Sequence, residues 1–291
     1  MKIGLTLPQG CDREYLGMEA REAWESTVAV AQWAEAQGFE SLWLYDHFQV
    51  DPPLIEAPIF EPFVEIAALA TVTSRARLGH LVLAAAYRNA ALTAKMISTV
   101  DVISNGRTEL GIGAGWKQDE WLAYGYGFPD APERLAILAD HLEIITRMLA
   151  PGRATYEGVH AHVRDAIHEP KGLQQPRLPI VVGGNGPKVT WRLAARFADE
   201  LNLDGIAVGL PVNVDQQRWL SVRRNHRVDG LHAGRHRGNV SNTDRNSRLC
   251  RFDHNVGNLL RSTHLSADQS ENELVIFFQQ ARRIYQVCAP Y

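Results

Sequence analysis

Residues 77–113 read RLGHLVLAAAYRNAALTAKMISTVDVISNGRTELGIG, and the rhythm of this stretch decides the fold class. Arg77 to Ala84 is an apolar run of strand length. Leu92, Met96, Ile97, Val100 and Ile103 then recur at helical spacing on one face, and Gly106 supplies a stop. Thr108 to Ile112 is strand-like again. A strand, a helix and a strand joined by short connections predict a βαβ unit and a parallel sheet.

The same rhythm extends in both directions. Upstream, Lys2 to Leu7 reads as a strand stopped by Pro8. Arg21 to Gln37 reads as a helix with Trp24, Val28 and Ala31 on one face and Gly38 after its end. The run Ser41 to Tyr45 (SLWLY) is nearly all apolar, as a parallel strand covered on both faces should be. Phe63 to Thr73 reads as a further helix. Downstream, Glu133 to Leu149 is an amphipathic helix with Leu135, Leu138, Leu142, Ile145 and Leu149 in register. Ala154 to Ile167 has period two and reads as an inserted hairpin. Pro179 to Val182 is a strand, and Pro187 to Ala198 the helix after it. Trp33 and Trp191 sit at helical core spacing and read as packing residues. This alternation fits either a closed (β/α)8 TIM-type barrel or an open doubly wound sheet. The 291 residues can hold one barrel of roughly 250.

The pattern stops near residue 209. Residues 211–291 carry 12 Arg, no Lys and 7 acidic residues, a balance of +5; the rest has 18 basic against 26 acidic residues, a balance of −8. The expected organisation is a barrel portion over 1–209, with its hairpin at about 154–167, and a divergent Arg-rich tail over 210–291. The barrel is expected to be incomplete or irregular in the C-terminal third. Within the tail, Glu273 to Val287 reads as one helix. An Arg-rich, Lys-free stretch is also what translation out of frame would give.

Composition narrows the function classes. A hydrophobic fraction of 45% supplies a sizeable core, and a net charge of −3 gives no footprint for nucleic acid. The arginines at Arg223, Arg224, Arg227, Arg235 and Arg237 lack interleaved aromatics and read as a solvated tail. Cys11, Cys250 and Cys288 are too few and too scattered for a disulfide framework or a zinc site, which suits a reducing, cytoplasmic setting. The N-terminus lacks a signal-peptide pattern, and no run of about 18 apolar residues predicts a membrane span.

Three strand exits can carry chemistry. Asp46-His47 follows SLWLY, and a carboxylate beside an imidazole can move protons near neutral pH. The plainer alternative is a turn-capping Asp beside a surface His, or, with further strand-end carboxylates, the metal centre of a hydrolase. Gly111-Ile-Gly113-Ala114-Gly115-Trp116 ends the strand TELGIG, where glycine lets a backbone approach a ligand. Val182-Gly183-Gly184-Asn185-Gly186-Pro187 joins a strand to a helix. Pro187 suits the first helical position, so amides and the positive end of the helix dipole would face an anion, most simply a phosphate. His80, inside a strand, reads as a packed barrel residue. His160 and His162 alternate on the hairpin and face one side without a carboxylate at metal-site spacing.

Read together, these blocks resemble the luciferase-like flavin/deazaflavin oxidoreductase family, in particular its branch that uses coenzyme F420. The likeness rests on GFESLWLYDHF, on the block from RARLGHLVLA to GIGAGWKQDEWLAYGYGFP, on ERLAILADHLEII and on PIVVGGNGPKVTWRLAARFADELNLDG, over about residues 1–209. It implies a TIM-type barrel with the ring of F420, or else FMN, at the C-terminal strand ends. Hydride transfer to or from a small organic substrate would follow, or monooxygenation with reduced FMN. By the same resemblance Asp46 and His47 are the catalytic pair. Leu81 and Val82 pack behind the ring at a position that is often a cis peptide. Gly113, Ala114, Gly115 and Trp116 line the cofactor, and Gly183, Gly184, Asn185 and Gly186 bind its phosphate. Homodimers are common in the family. The sequence after about Val208 departs from the family pattern, which implies a cofactor-binding barrel of impaired activity as the alternative.

Overall fold

The structure, a computed structural model, describes residues 2–51, 55–204, 218–224 and 272–278. The chain divides into two units, Met1–Arg224 with Glu273–Tyr291 and Asn225–Asn272.

In the first unit, parallel strands alternate with helices as the sequence predicts. In chain order these are β1 (Lys2–Thr6), α1 (Ala20–Ala36), β2 (Ser41–Leu44), α2 (Pro62–Val72), β3 (Arg77–His80), β4 (Leu83–Ala84), α3 (Ala90–Ile103), β5 (Thr108–Gly113), α4 (Gln118–Ala123) and α5 (Ala131–Leu149). A hairpin, β6 (Ala154–Glu157) and β7 (His162–Ala166), then precedes β8 (Ile180–Gly183), α6 (Thr190–Phe197) and β9 (Glu200–Asp204). Two helix starts are capped by short polar side chains: Asn89 accepts the amides of Ala91 and Leu92, and Asp130 accepts that of Glu133, which matches otherwise orphaned donors in the first turns of α3 and α5.

The sheet curls. β1, β2, β3, β5, β8 and β9 pair in parallel, with Leu42 opposite Leu78 and Ile112 opposite Val182. Trp43 lies opposite Gly79, where any side chain would run into the indole. Two further strands depart from a regular barrel: β10 (Arg218–Arg224) runs antiparallel to β9, and β11 (Asn272–Phe278) runs parallel to β1. The expected irregularity is therefore visible in strand direction. The core lies between sheet and helices in two clusters, one centred on Ile97, Leu110, Leu142 and Ile180 and one on Leu42, Ile66, Leu78 and Val30. No helix among the described residues is long and apolar enough to cross a membrane.

Several local expectations need correction. The run Arg77 to Ala84 is two strands separated by a cis peptide between Leu81 and Val82. On α3, Leu92 and Ile103 are exposed, and the buried face is instead Ala90, Ala94, Ile97 and Val100. Small residues win that face because α3 packs closely against α5. Trp191 is also exposed, whereas Trp33 packs on the second cluster. The segment read as a helix from Glu273 is a strand over Asn272–Phe278, its apolar run NELVIFF being of strand length and paired along β1. Residues 279–291, most of the 210–291 tail, Arg227, Arg235, Arg237, Cys250 and Cys288 lie outside the described residues.

Candidate active site at the strand ends

Parallel pairing puts the C-terminal ends of β2, β3, β5 and β8 on one edge of the sheet. The residues that leave those strands, Asp46-His47, Leu81-Val82, Ala114-Gly115-Trp116 and the 183–189 loop, therefore share one rim. Val82 ties them together. A Cβ placed on Gly183 would lie 2.6 Å from a Val82 methyl, and one on Gly113 2.9 Å from it, so both glycines are sites of close approach. Below them Leu81, Trp43, Tyr45 and Val181 form a small apolar cluster, with Val82 packed on it.

The two residues of the Asp-His pair do different work. Asp46 is buried and faces Arg88, not its neighbour. Its Oδ1 accepts Arg88 Nη2 at 2.9 Å, and its Oδ2 accepts Arg88 Nη1 at 2.9 Å and the Ala84 amide at 2.8 Å. Arg88 also donates to Glu61 at 2.5 Å. Burial pushes the Asp46 carboxyl up, against the pull of Arg88. A carboxylate so occupied pins the start of β4 and the Arg88 turn; it is not free to bind a metal, which removes the first ligand of a metal-hydrolase reading.

His47 is oriented by Glu120, a residue that sequence reasoning missed. Glu120 is fully buried on α4, and its Oε2 lies 3.2 Å from His47 Nδ1 and accepts the Tyr87 hydroxyl at 3.0 Å. Its Oε1 accepts the amides of Phe48 at 2.6 Å and Gln49 at 3.2 Å. Burial alone would raise the Glu120 carboxyl, but donation from His47, Phe48 and Tyr87 outweighs it and holds the group below the usual carboxylate range. An ionised carboxylate only accepts, so His47 Nδ1 must carry the proton. In the neutral ring that leaves Nε2 as the base. The signal for Glu120 was present in WKQDEW, directly after the glycine loop, but which of two adjacent acids turns inward is settled only by the helix.

The other rim residues are simpler. Trp116 is 70% exposed and stands edge-on to His47 with ring centroids 6.0 Å apart. Ala114 is half-buried, and Gly115 adopts φ +76° against Trp121. In the loop after β8, Gly184 has φ +137°, and Asn185, Gly186 and Pro187 are exposed. The expected helix start is displaced: α6 begins at Thr190, not at Pro187, because residues 187–189 form a turn first. The Gly184 amide is already given to the Asn202 carbonyl at 3.0 Å, and that of Trp191 to Gly186 at 3.1 Å. The loop stays an exposed rim beside Val82, with Asn185 and Lys188 as its polar side chains. His80, by contrast, is a packed strand residue as expected: it is fully buried, and burial lowers its imidazole to about 3.

Comparison with known proteins bears on the family and the fold. The luciferase-like monooxygenase family profile matches residues 1–209. An F420-dependent glucose-6-phosphate dehydrogenase of Kineococcus radiotolerans is 37% identical over 171 residues, 57% of this chain and 48% of that protein. A second F420-dependent glucose-6-phosphate dehydrogenase, from Microbacterium testaceum, is 36% identical over 170 residues, and the chain spans about half the length of both relatives. Among solved structures, the coenzyme F420-dependent tetrahydromethanopterin reductase of Methanopyrus kandleri superposes with a TM-score of 0.54 at 24% identity, covering 68% of this chain and 54% of that one. The FMN complex of the oxygenating constituent of 3,6-diketocamphane monooxygenase from Pseudomonas putida gives 0.53 at 22%, covering 67% and 54%.

Proposed function

This chain belongs to the luciferase-like monooxygenase family, and on that premise we propose that it is an oxidoreductase that holds a deazaflavin of the coenzyme F420 type at the strand-end rim and moves a hydride between it and a small organic substrate. One observation carries the reading: a histidine at the β2 exit whose Nδ1 is fixed by a buried glutamate, so that Nε2 is a positioned base. The F420-dependent relative at 37% identity supports the choice of cofactor.

The residues present fit such a group. The Leu81-Val82 floor offers an apolar face to a ring, and the exposed loop at residues 185–188 offers a phosphate the cation of Lys188. When bound, the deazaflavin supplies the hydride chemistry. The protein's own part is to orient and to move protons. His47 Nε2 takes the proton of a substrate hydroxyl as its carbon is oxidised, or returns one in the reverse direction. Glu120 stabilises the imidazolium so formed, while Trp116 and the aromatic cluster of Tyr87, Trp121 and Phe128 wall the site. Asp46 and Arg88 keep the floor in register. The substrate and any second copy of the chain belong to the same proposal: a small molecule, and a homodimer as in the family.

The test is fluorescence titration of the purified chain with F420 and with FMN, oxidised and reduced. F420 should quench tryptophan emission saturably and more tightly than FMN. Tighter FMN binding would move the chain to the flavin branch; binding with no turnover on any alcohol or aldehyde would make it a cofactor-binding barrel; binding of neither would overturn the reading.

A further inference from the structure

One buried polar atom on the barrel strands has no use in the chemistry described so far. Asn202, on β9, is 2% exposed, and its Nδ2 donates to no acceptor among the described residues. A buried amide donor without an acceptor is costly, and folded proteins seldom keep one unless a bound group satisfies it.

Strand pairing brings this amide to the rim. β9 runs parallel to β8, with Leu201 opposite Val182 and Asn202 opposite Gly183. Val182 belongs to the core cluster between sheet and helices, and Leu201 packs against that cluster. Val181 instead joins Leu81 and Trp43 on the other face. Side chains alternate along a strand, so Asn202 leaves the sheet on the Val181 face, away from the helices. A Cβ on Gly183 would point the same way and lie 2.6 Å from a Val82 methyl. On β5, Ile112 is opposite Val182, which sets Gly113 level with Gly183, and a Cβ there would also run into Val82. Of the three residues at this level, Gly113, Gly183 and Asn202, only Asn202 carries a side chain. Its backbone is fixed to the loop after β8, because its carbonyl accepts the Gly184 amide at 3.0 Å.

We propose that Asn202 recognises the polar edge of the ring bound at this rim, its Nδ2 donating to a ring carbonyl. The inference rests on the reading of the rim as a deazaflavin or flavin site. A carboxamide offers two donors and one acceptor. It is the complement of a carbonyl beside an N–H, the edge that the pyrimidinedione part of both ring types presents. Asn202 therefore positions the ring relative to His47 and does not choose between the two cofactors. Binding also supplies the acceptor that the buried donor lacks.

The experiment compares the full chain with Asn202→Leu, close in volume and apolar, and Asn202→Asp, equal in shape with an acceptor in place of the donor. Each is titrated with oxidised F420 and with FMN by fluorescence, and the visible band of the bound ring is recorded at saturation. Both variants should weaken the cofactor that the wild type binds by about tenfold, the loss of one buried hydrogen bond. Their bound-ring band should move back toward that of free cofactor, a signature that a merely structural amide would not shift. Without cofactor, Asn202→Leu should keep or raise the Tm, since it removes an unmatched donor. Should the leucine fail to fold by circular dichroism, the amide is structural in the free chain, and Asn202→Asp alone decides recognition. A folded variant with wild-type Kd and wild-type band overturns the inference. So does an unchanged cofactor Kd with a raised substrate KM, which would give the amide to the substrate. If the wild type binds neither cofactor, the reading of the rim falls and Asn202 with it; wild-type binding with unaffected variants removes Asn202 alone.

Discussion

The exits of β2 and β8 lie on the same rim and are built in opposite ways. After β2 the chain offers side chains: Asp46 and Glu120 are buried, and each oxygen is matched to a named donor. After β8 it offers a glycine-rich loop with no buried acid, and residues 185–189, with Asn185 and Lys188 as the polar side chains, are exposed. The first arrangement can hold and move a proton. The second is suited to binding, through backbone and the exposed Asn185 and Lys188. The contrast is tested hardest at His47. With His47→Ala the rim keeps its floor and loop, so cofactor Kd should hold within about twofold, while turnover falls by roughly 10² to 10⁴, the usual loss of a positioned acid–base group. Stopped-flow reduction alongside fluorescence titration separates the two. Full turnover would remove His47 from the chemistry.

Glu120→Gln probes the same exit with a smaller effect. The amide still accepts from Phe48 or Tyr87, but it cannot fix the His47 tautomer by charge. Turnover should drop by about tenfold, less than for His47→Ala. Stability carries a pH signature as well. The folded-state carboxyl sits below its ordinary value of 4.5, so the stabilisation it gives is present above that pH and is lost as pH falls through the folded value. The Tm gap between wild type and Glu120→Gln should therefore be widest near neutral pH and close on acidification below about 4.5. A gap that is constant with pH would mean that Glu120 is not an ionised partner of His47.

The same contrast separates the features legible in the sequence from those that were not. Strand and helix order from Lys2 to Phe197, apart from the short α4, could be read because apolar runs and stop signals are local, and the hairpin because period two is local. The rim could be placed because parallel strands end on one side. The partners could not. Asp46 to Arg88 and His47 to Glu120 span 42 and 73 residues, and spacing alone favoured pairing Asp46 with its neighbour. The α3 face failed for a different reason: close packing against α5 selects Ala90 and Ala94, and a count of large apolar residues overlooks them. The start of α6 failed because Pro187 opens a turn as readily as a helix, and only the position of Thr190 distinguishes them.

The β8 exit gives the smallest expected effect. At φ +137°, Gly184 holds a backbone that a β-branched residue adopts only with strain, and its Cβ would lie 3.1 Å from the Thr190 methyl group. Gly184→Val should therefore displace the loop relative to Val82 and α6. Because the substituted residue itself carries no proton donor or acceptor, the loss should fall on binding: cofactor Kd rising about tenfold, equivalent to ~1.4 kcal/mol, with the rate of reduction at saturating cofactor unchanged. Gly186→Ala supplies the graded control, since Gly186 has no left-handed φ and its Cβ would meet only the Thr190 hydroxyl, at 3.1 Å; its Kd should move by no more than about threefold. If Gly184→Val instead slowed the saturated reduction rate as His47→Ala does, the two exits would not divide chemistry from binding, and the loop would have to be credited with setting the position of the ring against His47 Nε2.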